Sequence, residues 1–218
     1  MAYSKKEDLA FIETGNYIYS NPLTRWITLE AHRKCARLRE YDSVENTVVD
    51  LGCGMGDHFP YIKKAKIIGI DINNYFLNKA KINFPNADLR KENILRTSFR
   101  KNSVKSIICF STLEHILPLQ DALKEINRIL SPGGEFIFAI PTEGMLYHFG
   151  RNLTTKRHVE KITGIDYDKL LAQEHVNKCR TIIKNIKHYF ILDNITGVPF
   201  KIPLVELNIF LVGKCRKK

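Results

Sequence analysis

Residues 48–57 decide the fold of this chain: they read Val48-Val49-Asp50-Leu51-Gly52-Cys53-Gly54-Met55-Gly56-Asp57. The apolar residues around Asp50 predict a short buried strand, and the glycines predict a tight turn directly after it. Glycine has no side chain, so a ligand can lie directly on the backbone of such a turn. A second apolar run, 67–70, ends on Asp71, whose carboxylate can accept hydrogen bonds from two ribose hydroxyls. This pair of features predicts a site for a nucleoside-containing cofactor.

The residues after the glycines distinguish between kinds of nucleotide site. A phosphate-binding P-loop requires Lys followed by Ser or Thr after its last glycine, whereas Asp57-His58 follows Gly56 here. The dinucleotide fingerprint requires a third glycine at the position of Asp57. A carboxylate there, at the start of a helix, would repel a pyrophosphate. Both phosphate-binding classes are therefore disfavoured.

Length and composition indicate an ordinary globular protein. The 218 residues are 44% hydrophobic and 26% charged, enough for one α/β domain with a sizeable core. We find no stretch of ~20 uncharged apolar residues that would span a membrane, and no apolar signal-peptide core at the start. The five cysteines (35, 53, 109, 179 and 215) are scattered without a Cys-x-x-Cys pair. This spacing argues against a disulfide framework and a zinc site, and predicts a cytoplasmic protein.

The formal net charge of +11 has two interpretations. The first is an acidic partner: nucleic acid, a phosphorylated or nucleotide-linked substrate, or an anionic membrane surface. The second is a lysine-rich composition without a functional meaning. No Arg-rich tract or RNA-binding signature favours nucleic acid over the other partners.

The order of apolar runs and amphipathic segments predicts a doubly wound α/β fold. Strands are predicted at about 47–51, 66–70, 87–91, 106–110, 135–140, 189–194 and 204–213, the last two as a hairpin. Helices are predicted at 22–39, 57–64, 74–84, 118–130 and 166–187, with 141–165 irregular and basic. We expect one domain over 1–218. Its parts are an N-terminal helical lid or flank (1–42), a cofactor-binding core (43–140), an acceptor-side insertion and helix (141–187) and a C-terminal strand hairpin (188–218).

Four segments in order resemble the class I S-adenosylmethionine-dependent methyltransferases of the type 11-like family, over about residues 44–142. They are the glycine turn at 50–56, the segment 93–99, the segment 111–116, and Arg-Ile-Leu-Ser-Pro-Gly-Gly at 128–134. The resemblance implies a Rossmann-like α/β fold, with a seven-stranded, mostly parallel sheet, an antiparallel last strand and helices on both faces. It also implies S-adenosylmethionine as cofactor. This molecule has no phosphates and carries a sulfonium and an ammonium, so nearby acidic residues favour its binding.

The resemblance also implies which residues bind the cofactor. They are Asp50, Gly52, Cys53, Gly54, Asp71, Ile72, Asn93, Ile94 and Ser111. Asn93 departs from the family pattern, which has an acidic residue at this position. Its amide oxygen can still accept a hydrogen bond from the adenine amino group.

Methyl transfer to a hydroxyl benefits from a general base, and histidine has a suitable pKa. His115 and His175 are the predicted catalytic residues; each could instead be an ordinary histidine bonded to backbone or solvent. Some small-RNA and quinone methyltransferases bind a divalent cation through a Glu-x-x-Glu-His segment that ends at the position of His115. Because Ser111 occupies the first position of that segment, no metal ligand is predicted.

The region after the fifth strand normally forms the acceptor pocket in this superfamily. The predicted substrate-binding residues there are Tyr147, His148, Arg151, Arg157 and His158. A basic cluster predicts an anionic acceptor, although a solvated basic loop would have the same composition. A loose resemblance of 174–177 and 199–203 to bacterial surface-polysaccharide methyltransferases suggests a small-molecule or glycan acceptor, methylated on oxygen rather than nitrogen.

Two alternatives remain open at this point. An RNA methyltransferase is supported by the positive charge alone, so a nucleic-acid partner is possible but not favoured. A non-catalytic partner subunit with the same fold would also keep the glycines and Asp71. The sequence gives no indication of the oligomeric state.

Overall fold

The structure is a computed structural model that describes residues 5–40 and 47–218. Its strands are β1 (Thr47–Leu51), β2 (Lys66–Asp71), β3 (Asp88–Lys91), β4 (Val104–Phe110), β5 (Leu130–Pro141), β6 (Phe190–Val198) and β7 (Phe210–Lys217). The first four helices are α1 (Lys5–Ser20), α2 (Pro22–Arg37), α3 (Asn74–Asn83) and α4 (Leu119–Ile129). The others are α5 (Met145–Leu153), α6 (Thr155–Thr163), α7 (Tyr167–Glu174) and α8 (Cys179–Tyr189).

All seven strands form one sheet in the order β3-β2-β1-β4-β5-β7-β6. β1 pairs in parallel with β2 and β4, and β4 pairs in parallel with β5. β7 lies antiparallel between β5 and β6. The predicted fold class, a mostly parallel seven-stranded sheet with an antiparallel last strand, is confirmed. The two C-terminal strands pair as predicted, but the second begins at Phe210 rather than at 204, because Val205–Leu207 forms a 3₁₀ turn.

Helices cover both faces of the sheet, because the central strands are apolar on both sides. On one face, Ile107 and Phe136 pack with Ile126 of α4 and Ile182 of α8. On the other face, side chains such as Ile108 pack with residues of α2 and α3. Because β1, β2, β4 and β5 run parallel, their carboxyl ends lie together at one edge of the sheet, where open α/β sheets bind their ligands.

The helix predicted at 57–64 is wrong. Only a single 3₁₀ turn, Phe59–Tyr61, forms between β1 and β2. His58, Phe59 and Ile62 are all buried. A short segment that must bury residues on several sides gains little from helix nucleation, which is costly.

The irregular structure predicted at 141–165 is also wrong, since α5 and α6 occupy most of it. Val159 of α6 packs with Ala10 of α1, Tyr167 and Leu170 in a small core of their own. Helices of nine residues depend on such tertiary packing, which a local sequence pattern does not reveal. The helix predicted at 166–187 is interrupted between α7 and α8, and α1 was not predicted as a separate helix.

Two sequence-based statements depend on residues outside the described ranges. The predicted boundary between the N-terminal flank and the cofactor-binding core, at 42/43, falls within 41–46, which the structure does not describe. Part of the N-terminal segment that was inspected for a signal peptide, residues 1–4, is also outside the described ranges. In the parts that the structure describes, none of the helices combines the length and the apolar character needed to cross a membrane. All five cysteines are buried and free.

Candidate active site

The glycine turn after β1 is held against the end of β2 by hydrogen bonds. The N–H groups of Gly52 and Cys53 both donate to the carbonyl of Ile70 at 2.9 Å. The Asp71 carboxylate accepts from the N–H of Gly54 at 2.9 Å and from that of Asn73 at 2.8 Å. Asp71 therefore fixes the turn and the start of α3 with the same side chain.

The three glycines serve different purposes, although all have positive φ: +76° at Gly52, +52° at Gly54 and +81° at Gly56. A Cβ at Gly52 would lie 2.3 Å from Thr112, and one at Gly56 would lie 2.9 Å from Phe59. Both positions are closed by packing. A Cβ at Gly54 would meet nothing within 4 Å, so this part of the turn faces open space that a ligand can occupy.

Asp50 lies beneath the turn and is only 1% exposed. Its Oδ1 has no hydrogen-bond partner among the described residues. Burial, followed by the negative charges of Asp71 and Asp57, raises the pKa of the Asp50 carboxyl to about 7. A buried carboxyl with a free oxygen favours a cationic or hydrogen-bond-donating ligand beside it.

The remaining predicted cofactor residues fall into two groups. Ile72 is 66% exposed beside Asp71, and Asn93 is exposed just after β3. The Oδ1 of Asn93 accepts the N–H of Leu95 at 2.9 Å, which leaves its second lone pair for a ligand. Cys53 and Ile94 are buried, and Ile94 belongs to the core cluster. The structure thus brings Asp50, Gly54, Asp71 and Ile72 to one edge of the sheet, whereas Ile94 lies among core residues.

The N-terminal helices are connected to the same turn. The Tyr19 hydroxyl of α1 lies 3.3 Å from Nε2 of His32 in α2. Burial, and after it the nearby Asp57 carboxylate, raises the pKa of Tyr19. Nδ1 of His32 lies 2.9 Å from Nδ1 of His58, just after the turn. α1 and α2 are therefore anchored next to the predicted cofactor site.

A cavity of about 290 Å³ opens at the carboxyl ends of β4 and β5. Its walls are mainly apolar and include Ile18, Leu23, Ile27, Leu170, Leu171 and Phe210. Its polar side chains include Ser111, Glu114, His115, Tyr147, Arg151 and His175. Thr112, which follows Ser111, donates a hydrogen bond to the carbonyl of Gly52 at 3.3 Å. The cavity and the glycine turn are therefore direct neighbours.

Two histidines form one end of this cavity. The rings of His115 and His175 lie edge to face, with centroids 4.9 Å apart. Nδ1 of His115 lies 3.0 Å from the Glu174 carbonyl. Nδ1 of His175 lies 2.5 Å from Oε1 of Glu143. Because a carbonyl and a carboxylate only accept hydrogen bonds, we assign the proton to Nδ1 in both rings, which leaves each Nε2 for a ligand.

Acidic groups surround these rings. Oε1 of Glu114 lies 3.8 Å from Nε2 of His115, too far for a hydrogen bond. Burial raises the pKa of Glu114, and the two histidines offset only part of this effect. Burial alone would lower the pKa of His115, but Glu174 and Glu114 raise it above its usual value. The pKa of Glu143 is lowered: His175 and Lys178 outweigh the opposing effect of burial.

The strand ends at this site are in an unusual backbone conformation. Ser111 follows β4 with φ +48°, and Glu143 lies just after β5 with φ +51°. Residues other than glycine rarely adopt this region, and such positions cluster at functional sites. Here they direct the chain from the sheet into the cavity walls.

Asn177 holds the loop that carries Glu114 and His115. Its Nδ2 donates to the carbonyls of Leu113 at 2.9 Å and Ile116 at 2.7 Å. Its backbone N–H donates to the Glu114 carbonyl at 3.0 Å. The segment between α7 and α8 thus positions both the Glu114 loop and His175.

Arg151 is the one predicted basic residue that reaches the cavity. Its side chain is 9% exposed, and Nη2 pairs with Asp168 at 2.7 Å. The guanidinium lies over the Tyr167 ring, 5.7 Å from its centroid. Nε and Nη1 are buried and have no partner among the described residues. Two buried N–H groups are therefore available to a hydrogen-bond acceptor.

The other predicted basic residues lie outside the cavity lining. His148 is exposed, 3.4 Å from Arg151, and Arg157 is exposed on α6. His158 lies 3.6 Å from Glu13 and has its ring against Tyr17. Sequence reasoning did not identify Glu143 or the lining residues of α1. Glu143 belongs to no recognisable motif, and α1 was not predicted as a separate helix, so nothing in the sequence indicated that these residues lie at the site.

Comparisons with known proteins agree with this geometry. Residues 49–138 match the family model described as "Methyltransferase domain". The 24-methylenesterol C-methyltransferase 2 of Arabidopsis thaliana is 27% identical over 155 residues, which are 63% of this chain and 41% of the relative. An uncharacterized methyltransferase of Schizosaccharomyces pombe is 30% identical over 134 residues, which are 60% of this chain and 49% of the relative. This chain thus spans less than half the length of either relative.

Solved structures share the fold. Geranyl diphosphate C-methyltransferase from Streptomyces coelicolor A3(2) superposes with a TM-score of 0.66, covering 91% of this chain and 78% of that chain. That structure contains Mg²⁺, geranyl-S-thiolodiphosphate and S-adenosyl-L-homocysteine. The sequence identity is 14%, so this likeness concerns the fold alone.

Replacing Asn177 tests its role in holding the site. Asn177→Ala leaves the buried Leu113 carbonyl and the partly buried Ile116 carbonyl without their donor, so we expect the free energy of unfolding to fall by roughly 1–3 kcal/mol. Urea unfolding measures this change. The matched control is Asn185→Ala, which removes a bond from Nδ2 to the exposed Thr181 carbonyl. We expect the control to stay within about 0.5 kcal/mol of wild type. Equal effects of the two variants would contradict the assigned role of Asn177.

Proposed function

We propose, on the premise that this chain carries a class I S-adenosylmethionine-dependent methyltransferase domain, that it transfers a methyl group to an oxygen atom of a small acceptor. The observation that carries the proposal is the adjacency of the glycine turn and the cavity through Thr112 and Gly52. A donor at the turn and an acceptor in the cavity would meet at the ends of β1 and β4.

The residues of the turn fit S-adenosylmethionine. Open space at Gly54 leaves the backbone accessible, and Asp71 is at the end of β2, where a ribose would lie. The free oxygen of Asp50 suits the ammonium of the cofactor. The exposed Ile72 offers an apolar surface to an adenine ring. No phosphate has to be placed near Asp57, whose charge would oppose it.

The bound cofactor supplies a methyl group on a positively charged sulfur, already activated for transfer. The chain itself has to hold the acceptor oxygen in line and exclude water. The apolar side chains of α1, α2 and α7 that line the cavity exclude water from it. His115 and His175, the predicted catalytic residues, hold the acceptor hydroxyl, and either Nε2 can take its proton because each Nδ1 is already committed.

The lining of the cavity indicates an acceptor with three parts. An apolar body fits the aliphatic walls, and a hydroxyl fits the histidine end. An anionic or carbonyl group would satisfy the free N–H groups of Arg151. This refines the anionic acceptor expected from the sequence. The narrow cavity suits a small molecule or a terminal sugar better than an RNA chain.

Transfer to carbon of an apolar acceptor is a second candidate. The aliphatic walls of the cavity favour it. The names of the sterol and geranyl diphosphate C-methyltransferases denote carbon methylation of molecules with a large hydrocarbon part. The polar histidine end and Arg151 favour the oxygen acceptor. A role in surface-polysaccharide synthesis and a cytoplasmic location stay predictions from the sequence.

The affinity for the cofactor should depend on the protonation of Asp50. With a pKa of about 7, Asp50 is neutral below that pH and must lose a proton before it can pair with an ammonium. We expect the Kd for S-adenosylhomocysteine to rise up to about tenfold per pH unit below 7 and to level off above it. Calorimetric titration between pH 5.5 and 8.5 measures this dependence.

Two variants separate Asp50 from other titrating groups. Asp50→Asn should bind weakly with a flat pH profile, whereas Asp121→Asn, an exposed control on α4, should behave like wild type. A Kd of the wild-type protein that does not change from pH 5.5 to 8 would contradict the role of Asp50.

The activity itself is tested with methyl-labelled S-adenosylmethionine and a panel of hydroxylated carboxylic acids, sugar phosphates, isoprenoid alcohols and total RNA. We expect label in a small hydroxylated anion. Arg151→Met should raise the KM for that acceptor roughly 10- to 150-fold, the value of a charged hydrogen bond. Its affinity for S-adenosylhomocysteine should not change. Arg216→Met removes a comparable ion pair with Asp193, outside the cavity, and should have no effect on KM. Label found only in RNA or on carbon would reject the proposal.

A further inference from the structure

Glu114, His115 and His175 converge at one end of the cavity. Each offers one ligand atom, and these atoms all lie within 4.8 Å of one another. Two imidazoles and one carboxylate are a common donor set for divalent transition metals, which leaves open positions for a substrate. We propose that these three residues bind a divalent metal ion of the Zn²⁺, Fe²⁺ or Mn²⁺ class.

The buried carboxylate of Glu114 supports a bound cation. Its side chain is 2% exposed, and Oε2 has no hydrogen-bond partner among the described residues. Nε2 of His115 lies 3.8 Å from the other oxygen, too far for a hydrogen bond. Leaving one oxygen of a buried carboxylate without a hydrogen-bond partner is costly, and a bound cation removes the cost.

The orientation of the two histidines also supports a bound metal ion. Nδ1 of His175 faces Glu143, and Nδ1 of His115 faces the Glu174 carbonyl. Metal-binding histidines almost always donate their other N–H to a carboxylate or a backbone carbonyl, which fixes the ring and raises its basicity. Both rings have this arrangement. Lys178 holds Glu143 in place through its second oxygen at 2.6 Å.

The geometry requires only a small adjustment. Tetrahedral ligands at about 2.0–2.2 Å from an ion lie about 3.3 Å apart, so the three side chains must close by up to about 1.5 Å. They sit on two loops, the 3₁₀ turn Leu113–His115 and the segment after α7, which Asn177 joins. Side-chain rotations within this frame can bring the donors together.

The ligands are far apart in the sequence, which explains why a metal site was not predicted from it. The segment that ends at His115 has Ser111 in place of an acidic ligand, whereas the third donor is His175, 60 residues beyond His115. An ion here would lie where the proposed acceptor places its hydroxyl, and an open position could take that oxygen. His115 and His175 would then act as ligands rather than as proton acceptors.

Metal binding can be measured without an acceptor or a cofactor. The full chain is stripped with a chelator and titrated calorimetrically with Zn²⁺, Mn²⁺ and Mg²⁺, and elemental analysis of the protein as purified gives the bound metal. We expect one Zn²⁺ or Mn²⁺ per chain, with Mg²⁺ at least 100-fold weaker because two of the donors are nitrogen. Glu114→Gln and His175→Ala should weaken binding at least 100-fold.

Two further variants complete the test. Glu143→Gln should weaken binding about 10- to 100-fold, the typical effect of an outer partner. The exposed His188→Ala should bind the ion like wild type. Circular dichroism and S-adenosylhomocysteine binding check that every variant is folded.

The outcomes separate this inference from the proposed function. No binding below 1 mM, or equal binding by wild type and the Glu114 and His175 variants, would overturn the metal site while methyl transfer could still be observed. One ion per chain that depends on Glu114 and His175, without any methyl transfer, would support the metal site and reject the function.

Discussion

The interaction on which the site depends is the double hydrogen bond accepted by Asp71. One carboxylate oxygen holds the N–H of Gly54 and the other holds the N–H of Asn73, so the turn after β1 and the start of α3 keep a fixed relation. Because Ile70 also accepts the N–H groups of Gly52 and Cys53, the turn cannot move without breaking the end of β2. A backbone held in this way presents an open, rigid surface to a donor molecule.

The cavity proposed for the acceptor is built differently. Here the cavity is lined by the N-terminal helices α1 and α2 and by α5 and α7, and Asn177 joins the loop after β4 to the loop after α7. Buried charges, rather than glycines, set its chemistry: Glu114 and Arg151 line the cavity and both have buried polar atoms without a partner among the described residues. Each needs a partner, and the partners that the chain does not supply indicate what the cavity binds.

The sequence was informative where function depends on local backbone chemistry. The glycine spacing, Asp57 and Asp71 lie within a few residues of the strands that position them, so the fold class and the place of the glycine turn between β1 and β2 could be predicted. It was weak where function depends on long-range packing. α6 packs against α1, and the pairing of His115 with His175 joins residues 60 positions apart. No local pattern encodes such contacts.

The central claim is that the donor at the glycine turn faces an acceptor in the adjoining cavity. A crystal structure of the full chain with S-adenosylhomocysteine tests it most directly. We expect the ribose against Asp71, the amino group beside Asp50, and the sulfur directed into the cavity near Ser111 and His115. A ligand bound elsewhere, or one whose sulfur faces away from the cavity, would contradict the account.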